Sequence, residues 1–109
     1  MSIKRAEIYW VDLNPTRGSE QRGLRPRVVV SIDALNKHRR TVLVVPLSSS
    51  PRPIPPLAVA TPSGRRAESV ALCEQVRAID RTRLGTRIGV MNTPDMLAPG
   101  AALREVQGI

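Results

Sequence analysis

Short β-type segments, separated by proline and glycine, limit what this chain can fold into. Glu7–Asp12 alternates polar and apolar residues around aromatic and β-branched side chains, which is typical of a strand. Arg27–Ile32 is almost wholly apolar, which favours a buried central strand. Further strands are predicted at Thr41–Leu47, Leu57–Ala60 and Thr86–Val90, and Ser69–Glu74 with Val76–Ile79 forms two strands or one bent strand.

Proline and glycine also predict how these segments end. Pro46 implies an edge, a bulge or a strand exit near the end of its strand, since proline has no N–H for a ladder. The prolines between positions 51 and 56 predict a stiff, extended loop. Asp33–Arg40 is polar and predicts a helical turn or a hairpin tip, and Asp80–Leu84 predicts one helical turn that stops at Gly85.

The end of the chain predicts a single helix. Thr93 is the predicted N-cap, with Pro94 at the first position and Asp95 in the first turn. Pro99-Gly100 is expected to kink this helix or delay its start. Many short strands and one helix predict a mainly β (α+β) fold, a small antiparallel sheet or partial barrel, and 109 residues suit one domain spanning 1–109.

A polar loop bounded by glycines runs directly into the most apolar strand. It carries Arg22, Arg25 and Arg27 beside one carboxylate, Glu20. Pro26 fixes its own φ and favours an extended Arg25, so the loop should aim charged side chains from the mouth of a strand. This indicates a site for an anion; the alternative is a solvated loop whose arginines pair with surface carboxylates.

Charge favours a polyanionic partner. The chain has 17 basic residues, of which only Lys4 and Lys37 are lysine, against 9 acidic ones, for a net charge of +8. Guanidinium groups pair with phosphate in a bidentate manner and stack on bases. With no Phe, one Trp and one Tyr, the chain lacks the aromatic platform with which an RRM-type sheet stacks RNA bases.

The single histidine and the single cysteine exclude two kinds of site. With one histidine, His38, and one cysteine, Cys73, an ordinary zinc site is excluded, and no intrachain disulfide is possible. His38 is expected on the surface and Cys73 in the core. A cytoplasmic location is the default, and no signal-peptide pattern or membrane-spanning run is seen.

Serines 48 to 50 follow the predicted strand Thr41–Leu47. They are either a polar strand exit or a source of hydroxyl groups for a phosphate. If the two apolar strands pair antiparallel, Arg27 comes beside Leu47, which would bring Ser48 towards Arg25.

Several motifs in order carry a resemblance to a known family. They are Gly18-Ser19-Glu20-Gln21, then Arg25-Pro26, then Val44-Val45-Pro46-Leu47-Ser48-Ser49, and then Glu74-Gln75-Val76-Arg77 with Ile79-Asp80. Together with Lys4 to Pro15, this order closely resembles the MazF/PemK toxins of bacterial toxin–antitoxin systems.

The resemblance implies an SH3-like, CcdB-type antiparallel barrel with a C-terminal helix, forming a two-fold homodimer. It implies a cytoplasmic toxin that cuts single-stranded RNA at a short sequence without a metal or another cofactor. The ribose 2′-OH would attack the adjacent phosphate and leave a 2′,3′-cyclic phosphate and a 5′-OH. It also implies a cognate antitoxin of the MazE type.

By position in these motifs, Arg25 matches the family's catalytic arginine, and Ser48 stands where the family usually has threonine. Glu20 is an alternative for the group that removes the 2′-OH proton, because an arginine of ordinary pKa is a poor base. Leu72 stands where the PemK branch has arginine, which places the chain nearer MazF. The RNA-binding residues expected are Gln21, Arg22, Ser49, Arg52, Glu74 and Gln75.

Two other functions remain open at this point. A CcdB-like toxin on the same fold would bind gyrase and cut no RNA. A basic nucleic-acid-binding domain without chemistry would share the net charge of +8.

Overall fold

The computed structural model describes residues 2–12, 24–49, 52–64 and 69–109. Within them lie seven strands and two α-helices. The strands are β1 (Glu7–Asp12), β2 (Leu24–Val29), β3 (Thr41–Ser48), β4 (Ala58–Ala60), β5 (Val70–Leu72), β6 (Arg77–Asp80) and β7 (Leu84–Val90), and the helices are α1 (Asp33–His38) and α2 (Thr93–Gln107).

The strands form a mostly antiparallel sheet with a C-terminal helix, which confirms the predicted fold class. The strand order is β4-β5-β3-β2-β1-β7, and β6 pairs with β3 beside this path. Among the described strands the path is open, with β4 and β7 at its ends, and it is compatible with a barrel-like fold. β3 is the central element because it pairs with β2, β5 and β6.

The two faces of this sheet bury separate apolar clusters, since successive strand side chains point to opposite faces. One cluster includes Ile8, Val28, Val45 and the helix residue Met96. The other includes Tyr9, Val11, Val29, Val42 and Val44. The apolar core of the described residues is therefore split by the sheet.

β2 is displaced from its predicted position. It spans Leu24–Val29 rather than Arg27–Ile32, so Arg25 and Pro26 lie inside the strand. Pro26 is accommodated because its fixed φ is compatible with extended backbone, and it pairs with Trp10 of β1. Arg25 is thus held by strand pairing with β1 and is not part of the preceding loop.

Pro46 lies near the end of the central strand, so of the three alternatives predicted for it, the edge is wrong. The missing N–H is tolerated for a geometric reason. Val30 N donates to Leu43 O across the β2–β3 pair, and by alternation the backbone of Pro46 faces away from β2. On the side of β3 that faces away from β2, residues up to Val44 pair with β6, and residues from Leu47 pair with β5. Pro46 lies between these two pairings, where no partner strand needs its N–H.

Three other predictions need correction. Gly85 does not stop a turn; it lies inside β7, after a 3₁₀ turn at Arg81–Arg83. Glu74 is not in a strand, because a 3₁₀ turn at Cys73–Gln75 separates β5 from β6. Asn92, rather than Thr93, caps α2 and accepts a hydrogen bond from Asp95 N.

α2 begins at Thr93 and runs to Gln107 with Pro99 inside it, so its start is not delayed. Pro99 removes one helical hydrogen bond, but it is buried together with Met96 and Ala102 on the face that meets the sheet. Tertiary packing therefore holds a helix that its sequence alone weakens. Neither α1 nor α2 is long and apolar enough to cross a membrane, and the described residues hold no other α-helix.

Candidate active site

The antiparallel β2–β3 pair joins the strand that carries Arg25 to the strand that ends at Ser48. Val28 lies opposite Val45, and Arg27 lies opposite Pro46. The β2–β3 pairs end there, and Leu47 and Ser48 pair with β5. The antiparallel pairing predicted for these two strands is present, although Arg27 lies opposite Pro46 and not Leu47, and the proximity of Ser48 to Arg25 stays a prediction.

Arginines from two strands share one face of the sheet at this point. Arg25 and Arg27 are two residues apart in β2, and they pair with Val11 and Tyr9 of β1. Arg77 of β6 pairs with Val44 of β3, a residue of the same face. We call Arg25, Arg27 and Arg77 the arginine cluster.

Arg27 differs from the other two members in being buried. Its side chain is 3% exposed, whereas Arg25 and Arg77 are exposed. Its Nε is buried without a hydrogen-bond partner among the described residues. Burial lowers the pKa of Arg27 below its usual value, and the positive charges of Arg77 and Arg25 lower it further. The cluster is thus strongly electropositive.

The 3₁₀ turn Cys73–Gln75 forms another side of this region. It joins β5 to β6, which both pair with β3, and it contacts β3, β4 and α2. Glu74 and Gln75 are exposed, whereas Cys73 is fully buried. The turn therefore presents a carboxylate and an amide beside the part of β3 that carries Pro46.

The other predicted site residues divide into two groups. Ser49 and Arg52 are exposed, and both follow β3 closely in the sequence. Glu20, Gln21 and Arg22 lie outside the described residues, so their place relative to Arg25 stays a prediction.

His38 lies on the surface and Cys73 in the core, as predicted. His38 is exposed at the end of α1. Cys73 belongs to the apolar cluster under α2, and burial raises the pKa of its thiol to about 11. At neutral pH it is therefore a thiol and a poor nucleophile.

A buried carboxylate beside the cluster was missed in the sequence. Glu7 accepts hydrogen bonds from Lys4 N at 2.8 Å, Tyr9 Oη at 2.7 Å and Arg87 Nη1 at 2.9 Å. Burial alone would raise the pKa of Glu7, but these hydrogen bonds and the charge of Arg87 lower it overall. Burial and the Glu7 hydrogen bond raise the pKa of Tyr9 to about 12.

The signal for this network was present in the strand pattern. Glu7, Tyr9 and Val11 alternate on one face of β1, and that face is buried. A polar residue in phase with two buried ones needs partners, because an unpaired buried charge is costly. Within residues 2–12, 24–49, 52–64 and 69–109, no three His, Cys, Asp or Glu side chains are grouped so as to hold a metal ion.

The sequence is similar to several bacterial proteins over most of its length. It is 36% identical over 110 residues to the endoribonuclease MazF9 of Mycobacterium tuberculosis, a match that covers 94% of this chain and 93% of the relative. It is 36% identical over 92 residues to the endoribonuclease EndoA of Bacillus subtilis, covering 81% of this chain and 79% of that protein.

Solved structures share the fold. MazF from Deinococcus radiodurans superimposes with a TM-score of 0.81 at 23% identity, covering 100% of this chain and 99% of that one. A mycobacterial endoribonuclease solved with its cognate antitoxin has a TM-score of 0.78 at 22% identity, covering 99% and 95%. The family model described as PemK-like, MazF-like toxin of type II toxin–antitoxin system matches residues 4–106. This chain therefore belongs to the PemK-like, MazF-like toxin family.

Proposed function

We propose that this protein is an endoribonuclease that cuts single-stranded RNA at a short sequence. The observation that carries the proposal is the arginine cluster, which the pairing of β2 and β6 with β3 brings to one face of the sheet. The similar proteins of Mycobacterium tuberculosis and Bacillus subtilis are named endoribonucleases, which supports the same activity here. The net charge of +8 suits a polyanionic substrate.

The proposed reaction uses a nucleophile that the RNA supplies. The 2′-oxygen forms a bond to the adjacent phosphorus, and the bond from phosphorus to the 5′-oxygen breaks. The 2′-OH loses a proton and the 5′-oxygen gains one, which gives a 2′,3′-cyclic phosphate and a 5′-OH. The protein has to move these protons and stabilise the negative charge of the pentacoordinate phosphorane.

We assign three of these roles, two of them to described residues and one to Glu20, which lies outside the described part of the chain. Arg25 stabilises the phosphorane with a charged, bidentate guanidinium. Ser48 donates a hydrogen bond to a phosphate oxygen. Glu20 is the candidate base, and the proposal requires no metal ion.

The residues around this centre would contact the flanking nucleotides. Ser49, Arg52, Glu74 and Gln75 are exposed near the ends of β3 and at the turn beside it, where a single strand could pass. Gln21 and Arg22 are the other two residues that we propose to bind RNA.

Two partners follow from the family. Similar solved structures include a mycobacterial endoribonuclease in complex with its cognate antitoxin and a MazE–MazF complex from Deinococcus radiodurans. We therefore assign this toxin a MazE-type antitoxin, whose acidic segment would cover the basic surface. A homodimer acting on mRNA in the cytoplasm completes the proposal, and light scattering of the purified protein tests for twice the 11.9 kDa chain mass.

The activity is tested by adding the purified protein to a long RNA of mixed sequence in excess EDTA. We expect cuts at one short sequence, with cyclic phosphate and 5′-OH ends that distinguish this chemistry from water-mediated hydrolysis. RNA that stays intact would refute the proposal. Intact RNA with tight binding would indicate a nucleic-acid-binding domain, and growth arrest with intact cellular RNA would indicate a toxin that binds another protein.

A further inference from the structure

Arg27 is the one member of the arginine cluster whose burial has no explanation within the described part of the chain. Its Nε is buried and has no hydrogen-bond partner there. The ion pairs Arg40–Asp80 and Arg87–Glu7 do not include it. Removing a charge from water is costly unless it is paired, and here the charged neighbours Arg25 and Arg77 are of the same sign.

The surroundings of Arg27 indicate the ligand that would offset this cost. Its neighbour on β1 is Tyr9, whose hydroxyl donates to Glu7, and its neighbour on β3 is Pro46, whose ring carries no hydrogen-bond acceptor. The other two guanidinium groups belong to exposed residues on the same face. An anion bound between Arg25 and Arg77 would meet Arg27 at the buried end of the cluster.

We propose that Arg25, Arg27 and Arg77 form an anion pocket in which Arg27 binds a phosphate oxygen of the RNA from the buried side. Naming RNA as the source of this phosphate rests on the proposed function. The pocket itself rests on the burial of Arg27 and on the register of β1, β2, β3 and β6. Arg27 is thus a phosphate-binding residue of the site in addition to Arg25.

The proposed pocket predicts an unusual effect of an Arg27 substitution on the stability of the ligand-free protein. Replacing a buried charge with an apolar side chain of similar volume is often neutral or stabilising. We therefore expect Arg27→Met to be at least as heat-stable as the wild type without a ligand, yet to bind phosphate less well. If the role of Arg27 were purely structural, Arg27→Met would be less heat-stable than the wild type and would bind phosphate equally well.

The first test compares melting temperatures in inorganic phosphate and in chloride at matched ionic strength. Phosphate should raise the melting temperature of the wild type, because a ligand that binds the native state stabilises it. Arg27→Met should lose most of this shift, and Arg27→Lys should keep part of it. The control is Arg39→Met, which removes an exposed arginine beyond the opposite end of β3 and should retain the full shift.

The second test measures binding of a mixed-sequence RNA with 2′-O-methyl sugars, which cannot supply the nucleophile. Arg27→Met should weaken binding about 10- to 100-fold, the loss of one charge-assisted contact, whereas Arg39→Met should change it little. The pocket is overturned if Arg27→Met is less stable than the wild type in chloride and keeps both the phosphate shift and the RNA affinity. That result would show a partner for Arg27 within the chain.

The two proposals fail separately. RNA left intact by the wild type refutes the nuclease, while an Arg27-dependent phosphate shift would still support the pocket. RNA cut normally by a protein whose phosphate shift does not depend on Arg27 refutes the pocket and leaves the nuclease standing.

Discussion

Ser48 is the last residue of β3, and we propose that its hydroxyl binds the phosphate at Arg25, in the position for which the family resemblance implies threonine. Both residues offer the same donor, but threonine has a second heavy atom on Cβ that restricts χ1. The hydroxyl of Ser48 therefore loses more conformational freedom when it is held against a phosphate.

We expect Ser48→Ala to lower the single-turnover rate of RNA cleavage about 10- to 100-fold, since one hydrogen bond to a charged oxygen is removed. Ser48→Thr should cut at least as fast as the wild type. Thr41→Ala, at the exposed start of the same strand, controls for damage to β3 and should leave the rate unchanged. Cleavage by Ser48→Ala at the wild-type rate would exclude the hydroxyl from the reaction.

Glu7 links stability to pH, because its pKa is lowered from the usual 4.5 in the folded protein. A lowered folded pKa means that the charged carboxylate stabilises the fold. This contribution is complete above pH 4.5, the unfolded value, and is lost as the pH falls through the lower folded value.

Glu7→Gln should therefore reduce the free energy of unfolding by about 1 to 3 kcal/mol at pH 7, because charged hydrogen bonds to Tyr9 and Arg87 are lost. At pH 3 the difference from the wild type should shrink. Urea unfolding at both pH values measures it, with exposed Glu105→Gln as the matched control. A deficit of equal size at pH 3 and pH 7 would contradict the assignment.

At the scale of elements, β1 and β7 meet through an irregular ladder that requires a glycine. Tyr9 pairs with Arg87 and Val11 with Leu84, so the register shifts between them. A Cβ added to Gly85 would lie 2.9 Å from the backbone oxygen of Trp10. That oxygen belongs to a paired strand and has little room to move.

Gly85→Ala should lower the free energy of unfolding by about 1 to 3 kcal/mol, as expected for overpacking against backbone. Gly89→Ala is the control in the same strand, since its added Cβ would lie at an ordinary 3.7 Å from the Ile8 side chain. Chemical denaturation compares the two variants. Equal stability of both would show that the bulge relaxes around the extra methyl group.

Elements were predicted correctly where one local sequence pattern was dominant, and incorrectly where contacts with a neighbouring element determined the structure. β1 was predicted at its observed bounds because alternation and aromatic residues agree there. An edge at Pro46 was predicted wrongly because the local sequence does not show that β3 changes its pairing partner there, from β6 to β5. The role of Gly85 was predicted wrongly because it depends on the close approach of the Trp10 backbone. In α2, the packing of Pro99 against the core outweighed the helix-breaking tendency of Pro99-Gly100.

At the scale of the whole molecule, the sheet concentrates positive charge at one place. The sequence predicted that Arg25 and Ser48 could meet, because the pairing of two consecutive strands follows from their patterns. It did not reveal that Arg27 is buried or that Arg77 shares its face, because that requires the register of β6 on β3.

Binding of uncleavable RNA should therefore depend steeply on salt. Each phosphate neutralised on a single strand contributes roughly −0.7 to the slope of log affinity against log salt concentration. A slope steeper than about −2 is expected if the arginine cluster and its surroundings contact three or more phosphates. Fluorescence anisotropy over a range of chloride concentrations measures this slope, and an affinity independent of salt would contradict a phosphate-centred site.

The central claim is that the protein cuts RNA with Arg25 at the scissile phosphate. The most direct measurement is the single-turnover cleavage rate of Arg25→Ala in EDTA, beside the wild type and Arg39→Met. We predict a loss of about 100- to 1000-fold for Arg25→Ala, the effect of removing one group that stabilises transition-state charge, and a normal rate for Arg39→Met. Cleavage by Arg25→Ala at the wild-type rate would contradict the account.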